Sequence, residues 1–193
     1  LFFFFFSTKN TNKRATDQRL LKDVYKDAFL VGVAVSPAIT TGSDRFSQDI
    51  VIKHFNSITV ENVMKAALIN PQPGVYNYEP SDEYVAFGEK NKMFIIGHTL
   101  VWHNQCPPWF FTNSLGKPNS KEEQIERLRS HIETVAGRYA GRINAWDVVN
   151  EALNEDGTMR KSIFLDKLGP DFVTEAFRLA QKAAPTTELY YND

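Results

Sequence analysis

The stretch "AWDVVNEALNEDG" runs from Ala145 to Gly157. It begins like a β-strand buried on both faces and ends in an amide, an acid and a turn. Such a stretch delivers Asn150 and Glu151 side by side at a strand end. Whether that is a turn cap or a site depends on what the other strand ends carry.

The same rhythm recurs on both sides of it. Ala28–Ser36, "AFLVGVAVS", is β-rich and ends at Pro37. "FSQDIVIKHF" reads as a short helix with Ser47 as candidate cap, and Ser57–Asn62, "SITVEN", as a second strand. Ser81–Asn91 is expected to be helical, and Met93–Trp102, "MFIIGHTLVW", to be a third strand. Ser120 and Glu123 have capping-box spacing. Ile125, Leu128, Ile132 and Val135 then follow at helical steps on one face. After "INAWDVVN", the segment "GPDFVTEAFRLAQKAAP" gives a helix with Pro170 near its first turn and Pro185 beyond its end. "ELYYND" closes the sequence as a fifth strand.

Strands alternating with helices predict a parallel α/β sheet, either open and doubly wound or closed into a barrel. No G-x-G-x-x-G or G-x-x-x-x-G-K-[ST] follows a strand, which weakens a nucleotide-binding open sheet. Polar residues gather just after strand ends: Glu61–Asn62, His98, Trp102–His103 and Asn150–Glu151. In a (β/α)₈ TIM barrel those positions converge on the catalytic face, so a barrel is expected. A complete one needs about 250 residues and eight strands. Five strands in 193 residues make an incomplete barrel, truncated at its C-terminus.

Composition bounds the function. A net charge of -1 gives no general attraction to nucleic acid or to an anionic membrane, and neither is expected as a partner. Aromatic residues make up 13% of the chain, and its three tryptophans (Trp102, Trp109, Trp146) fall close together. Clustered aromatics form cores, and flat rings also pack on the apolar face of a pyranose. Cys106 is the single cysteine, so no internal disulfide forms and the thiol reads as a small buried hydrophobe. The opening "LFFFFF" lacks an initiating Met. It reads either as the tail of a signal-peptide apolar region or as a cloning artefact, and residues 1–13 are set apart from the unit 14–193.

Hydrolysis of a glycosidic bond needs an acid to protonate the leaving oxygen and a second carboxylate to attack the anomeric carbon or activate water. Glu151, held rigidly at a strand end, suits the acid role, and Asn150 can donate to a sugar hydroxyl. Glu61, Asn62 and Lys65 supply an acid, an amide and an ammonium; Asn62 and Lys65 project together if the turn after the strand is helical. His98, Trp102, His103 and Gln105 follow in "GHTLVWHNQCPPW". The two histidines lack the i, i+4 spacing of a helical zinc pair, so hydrogen bonding or packing is expected of them.

The motifs "TVENVMK", "NPQPGVYNY", "GHTLVWHNQ.P.W", "WDVVNEAL" and "LYYND" resemble, in this order, glycoside hydrolase family 10, the endo-β-1,4-xylanases. The likeness spans roughly residues 20–193. It implies a (β/α)₈ barrel that hydrolyses xylan with retention, without metal or organic cofactor. It also implies a secreted or periplasmic enzyme that is a monomer at full length and takes xylan and xylo-oligosaccharides as partners. By that resemblance Glu151 is the general acid/base and Asn150 holds the sugar 2-hydroxyl. Glu61, Asn62, Lys65, His98, Trp102 and Gln105 bind the sugars on the non-reducing side. The family's nucleophile, a Glu on the seventh strand, has no counterpart here, so residues 1–193 alone are expected to be inactive and poorly folded. Another barrel glycosidase such as a cellulase, a non-catalytic sugar-binding remnant, and a zinc enzyme using His98 and His103 are the rival readings.

Overall fold

The structure, a computed structural model, describes residues 19–193. The segment 1–13 set apart above lies outside them. After α1 (Leu21–Val24), β1 (Gly32–Val35) leads through α2 (Pro37–Thr40) and α3 (Arg45–His54) to β2 (Ser57–Val60). Next, α4 (Ala66–Ile69) and α5 (Glu79–Lys90) lead to β3 (Phe94–Trp102). A 3₁₀ turn (Pro108–Phe111) and the long α6 (Lys121–Arg138) precede β4 (Ala145–Asn150). Finally α7 (Ile163–Leu168) and α8 (Phe172–Ala183) reach β5 (Glu188–Asn192).

All four strand pairings are parallel and the spatial order is β1-β2-β3-β4-β5. An open doubly wound sheet reverses its order at a switch point. This sheet adds each strand beside the last, as barrel staves do. It forms five of the eight strands of a (β/α)₈ barrel.

Burial explains the sequence pattern. All six residues of β4, the central run of the opening stretch, are buried. The first half of β3 alternates instead, and only its C-terminal half is continuously buried until Trp102. β1 and β5 lie at the sheet edges and are mostly exposed. The long apolar run expected from Ala28 shortens accordingly: Phe29 and Leu30 stand in solvent before β1 begins.

Local chemistry sets the helix ends. Ser120 caps α6: its side chain accepts from Glu123 N, and the Glu123 carboxylate accepts in turn from Ser120 N. The expected cap at Ser47 is corrected. α3 starts at Arg45, and Asp44 accepts from Ser47 N at 3.0 Å, because an ionised acid is the stronger acceptor for the free amides of a first turn. α5 begins at Glu79 rather than Ser81, since Pro80 is tolerated in a first turn.

Two contacts lock the strands. The buried Tyr84 hydroxyl lies 2.9 Å from the Ile58 carbonyl and 2.8 Å from that of Ile96, tying α5 to β2 and β3. Trp146, fully buried on β4, packs over Gly97 of β3 so closely that a Cβ there would lie 2.3 Å from its ring.

Candidate active site

Parallel strands put all their C-terminal ends at one end of the sheet, and the polar residues picked out in the sequence follow from that. Glu61 comes directly after β2, Trp102 ends β3, Asn150 ends β4 and Glu151 follows it. Trp102 and Asn150 are also register partners across the β3–β4 pair.

Two hydrogen bonds hold Glu151, and its backbone is unusual. Its backbone N–H donates to the Asn192 carbonyl at 2.8 Å. Its carboxylate accepts from Trp102 Nε1 at 3.0 Å. Its φ of 53° places it in the left-handed region, uncommon for any residue with a Cβ. Such backbone costs of order 1 kcal/mol or more, and persists where the surroundings over-determine it.

The turn after β2 completes that side. Lys65 N donates to the Asn62 carbonyl at 2.9 Å, so a turn does bring the two side chains together. Lys65 Nζ then donates to Asn62 Oδ1 at 3.0 Å and lies 4.8 Å from the centroid of the Trp102 ring. The ammonium is nearly buried, with the indole face and the amide taking part of the place of water. Gln105 also has positive φ, at 47°, and its carbonyl accepts from Ala67 N at 2.8 Å. It therefore pins the loop after β3 to the turn after β2 through its backbone, and its side chain is exposed.

Glu61 and His98 line a hollow of about 430 Å³ together with Asp147, Tyr190 and Asn192. Asp147, absent from the sequence-based set, pairs with His98: Nδ1 to Oδ2 is 2.9 Å. Thr99 adds a hydrogen bond from its hydroxyl to the Asp147 carbonyl at 2.8 Å. The signal for Asp147 was a single acid inside the fully buried run of β4. His103, beyond Trp102, is held below the usual histidine range, first by burial and then by Arg160, with Glu151 opposing. Burial pushes the Cys106 thiol well up, leaving it a packing group rather than a nucleophile. Among the described residues, no three His, Cys, Asp or Glu side chains converge as metal ligands would.

Asn150, 3% exposed, faces Asn192, its register partner on β5. In either orientation, its amide nitrogen faces another donor. In one, Oδ1 accepts from Asn192 Nδ2 at 2.6 Å. In the other, the oxygen accepts from Trp102 Nε1 at 3.2 Å, and the nitrogen donates to the Asn192 carbonyl at 3.2 Å. The first sets the amide nitrogen 3.2 Å from the indole donor, and the second sets it 2.6 Å from the Asn192 amide nitrogen.

The model of glycosyl hydrolase family 10 matches residues 20–193. The chain belongs to this family. It is 42% identical over 179 residues to endo-1,4-beta-xylanase A of Xylanibacter ruminicola, covering 93% of this chain and 48% of that protein. It is 45% identical over 176 residues to endo-1,4-beta-xylanase A of Caldicellulosiruptor saccharolyticus, covering 90% of this chain and 50% of the relative. A solved family 10 endoxylanase from a sugarcane soil metagenome superposes with a TM-score of 0.86 at 45% identity, covering 90% of this chain and 50% of that one. The intracellular xylanase of Thermoanaerobacterium saccharolyticum, solved as a mutant with xylotriose, gives 0.86 at 38% identity over 92% of this chain and 57% of that one. The chain thus spans about half the length of these family 10 relatives.

Proposed function

We propose that this chain is part of a retaining endo-1,4-β-xylanase in which Glu151 is the general acid/base. The observation that carries the reading is the Glu151 carboxylate, set at the end of β4 and held by the Trp102 indole 3.0 Å away, beside the Asn62–Lys65 pair. Glu151 first gives its proton to the leaving xylosyl oxygen while a second carboxylate attacks the anomeric carbon. Glu151 then takes a proton from the water that displaces that carboxylate, restoring both groups. The retaining geometry requires the two carboxyl groups about 5–5.5 Å apart. We assign the second carboxylate to the part of the barrel that the longer relatives contain and these 193 residues do not.

Asn150 can offer an amide hydrogen to a sugar hydroxyl. Lys65, Asn62, Glu61 and His98 suit hydroxyls on the non-reducing side, and the Trp102 ring suits a pyranose face. Xylo-oligosaccharides are the partners expected on that side; the xylotriose complex of one relative supports this. A secreted or periplasmic monomer is part of the reading, because polymeric xylan is met outside the cell; the intracellular relative stands for the other outcome. Fractionation and solution mass measurement test it.

The test of activity uses the full-length polypeptide on xylan and on cellulose. Faster cellulose hydrolysis would replace xylanase by cellulase. Glu151→Ala should lose xylan hydrolysis and regain turnover with azide or with good leaving groups. Loss of that rescue, with a covalent sugar found on Glu61 instead, would remove Glu151 from its role.

A further inference from the structure

A second hollow, of about 510 Å³, lies between the segment joining α4 to α5, the 3₁₀ turn and α6. Asn70 and Tyr76 come from the first, Trp109 from the second, and Arg127, Ser130 and His131 from α6. It shares no lining residue with the hollow that holds Glu61 and His98.

The buried side chains around it have unused hydrogen-bonding capacity. Asn70 is 2% exposed, and its Nδ2 spends both hydrogens on the Gln72 and Val75 carbonyls, at 3.0 and 2.8 Å. That leaves Oδ1, which accepts from none of the described residues, as an acceptor at the wall. Trp109 Nε1 is buried without a partner, and neither ring nitrogen of His131 completes a hydrogen bond. Burial holds that ring neutral, with its pKa down at about 4, so it carries one donor and one acceptor. Native interiors leave few such groups unmatched. Three around one hollow suit a partner that both donates and accepts.

The charged groups are already engaged. Glu123 serves the Ser120 cap, and Glu126 accepts from Arg129 at 2.8 Å. Arg127 donates to the Thr112 carbonyl at 3.2 Å, with its guanidinium 5.0 Å from the Trp109 ring centroid. A strongly charged ligand would have to break these contacts, and a neutral one need not. Tyr76 adds a flat wall, braced by a parallel stack on Tyr78 at 5.2 Å. A braced aromatic ring beside mixed donors and acceptors is the chemistry that holds a neutral sugar. We propose that this hollow is a second carbohydrate site, separate from the strand-end site, that takes a neutral xylosyl unit of the same polymer. The sugar's identity rests on the xylanase reading, whereas the site rests on the hollow's own side chains. Two sites on one polypeptide raise the local concentration of a long chain at the second once the first is filled.

The test uses the full-length polypeptide carrying Glu151→Gln, so that a sugar chain binds without being cut. Its tryptophans are labelled with ¹⁵N, and the indole N–H resonances are followed as xylohexaose is added. Trp102→Phe and Trp109→Phe identify two of the signals. The Trp102 signal should shift and saturate first. The Trp109 signal should shift in a second phase that needs about ten times more ligand, because a single hollow makes fewer contacts than a cleft. Ser130→Phe fills the hollow from an exposed position on α6. It should abolish the second phase and leave the first, which also shows that the variant folds. Thr134→Phe, one turn on, repeats the block should the first variant fail to fold.

A Trp109 signal that stays in place while Trp102 saturates overturns the proposal, as does a Trp109 shift that survives the block. Cellohexaose, run in parallel, separates the two readings. If it moves Trp109 while xylohexaose moves neither signal, the hollow remains a carbohydrate site and the xylanase reading falls. If neither sugar moves Trp109, the second site falls whatever Trp102 does.

Discussion

Nδ1 of His98 lies 2.9 Å from Oδ2 of Asp147, directly across the β3–β4 pair. A carboxylate in that place accepts a hydrogen bond from Nδ1–H and leaves Nε2 as the ring nitrogen free to meet another group. The pair therefore sets how His98 presents itself to the hollow it shares with Glu61. Asp147→Asn keeps the shape and removes the charge. A charge-assisted hydrogen bond is worth about 1.5–3 kcal/mol, so kcat/KM on xylo-oligosaccharides should fall roughly 10- to 100-fold. Steady-state kinetics beside a thermal melt would separate this from unfolding; an unchanged kcat/KM would remove Asp147 from the site.

Gly97 and Gly137 make opposite predictions. A Cβ on Gly97 would meet the buried Trp146 ring at 2.3 Å, whereas one on Gly137, in α6, meets nothing within 4 Å. Gly97→Ala should cost about 3 kcal/mol or more, because neither strand can retreat. Gly137→Ala should be neutral or stabilising by up to ~1 kcal/mol. Denaturant midpoints of the two variants should move in different directions or by very different amounts.

Stability should fall in acid through His131. Burial pushes this ring down to about 4, although the Leu100 carbonyl facing it offsets part of the effect. The unfolded chain binds the proton near pH 6.5, and the folded chain only near pH 4. Stability is therefore full above about pH 6.5 and drains as pH falls toward 4, by about 3 kcal/mol in all. His131→Phe should flatten that part of the curve in urea melts at stepped pH. An equal slope in both proteins would assign the loss to other groups.

The reciprocal Ser120–Glu123 cap is open to a simpler check. Ser120→Ala frees the Glu123 N–H, now 3.2 Å from the Ser120 hydroxyl. The loss should be about 1 kcal/mol. A midpoint unchanged within error would mean that α6 is held by its packing alone.

The order of strands and the longest helix were legible because they depend on local patterns: apolar runs for β2 to β4 and a capping box for α6. Edges were less legible. β1 begins only at Gly32, since the apolar residues before it find no sheet to bury them. Short helices such as α4 and α7, of 4 and 6 residues, escaped because so few turns leave no periodicity to read. In the site, Glu61, Asn62, Lys65, His98, Trp102, Asn150 and Glu151 stood out as polar groups at strand ends or in the motifs that carry the resemblance. Asp147 and Asn192 did not. Their part depends on the register that sets Asp147 opposite His98 and Asn192 opposite Asn150, which no single segment displays.

The left-handed backbone at Glu151, with φ of 53°, has a consequence for variants chosen on robustness alone. Glycine adopts that conformation at no steric cost, and asparagine at little. Glu151→Gly or Glu151→Asn should therefore melt later than the parent, by up to roughly 1 kcal/mol of added stability, while losing the acid. On the acid/base reading of Glu151 proposed above, selection for soluble or heat-resistant protein would drift toward inactive enzyme at this position. Only a screen that counts product would keep the glutamate.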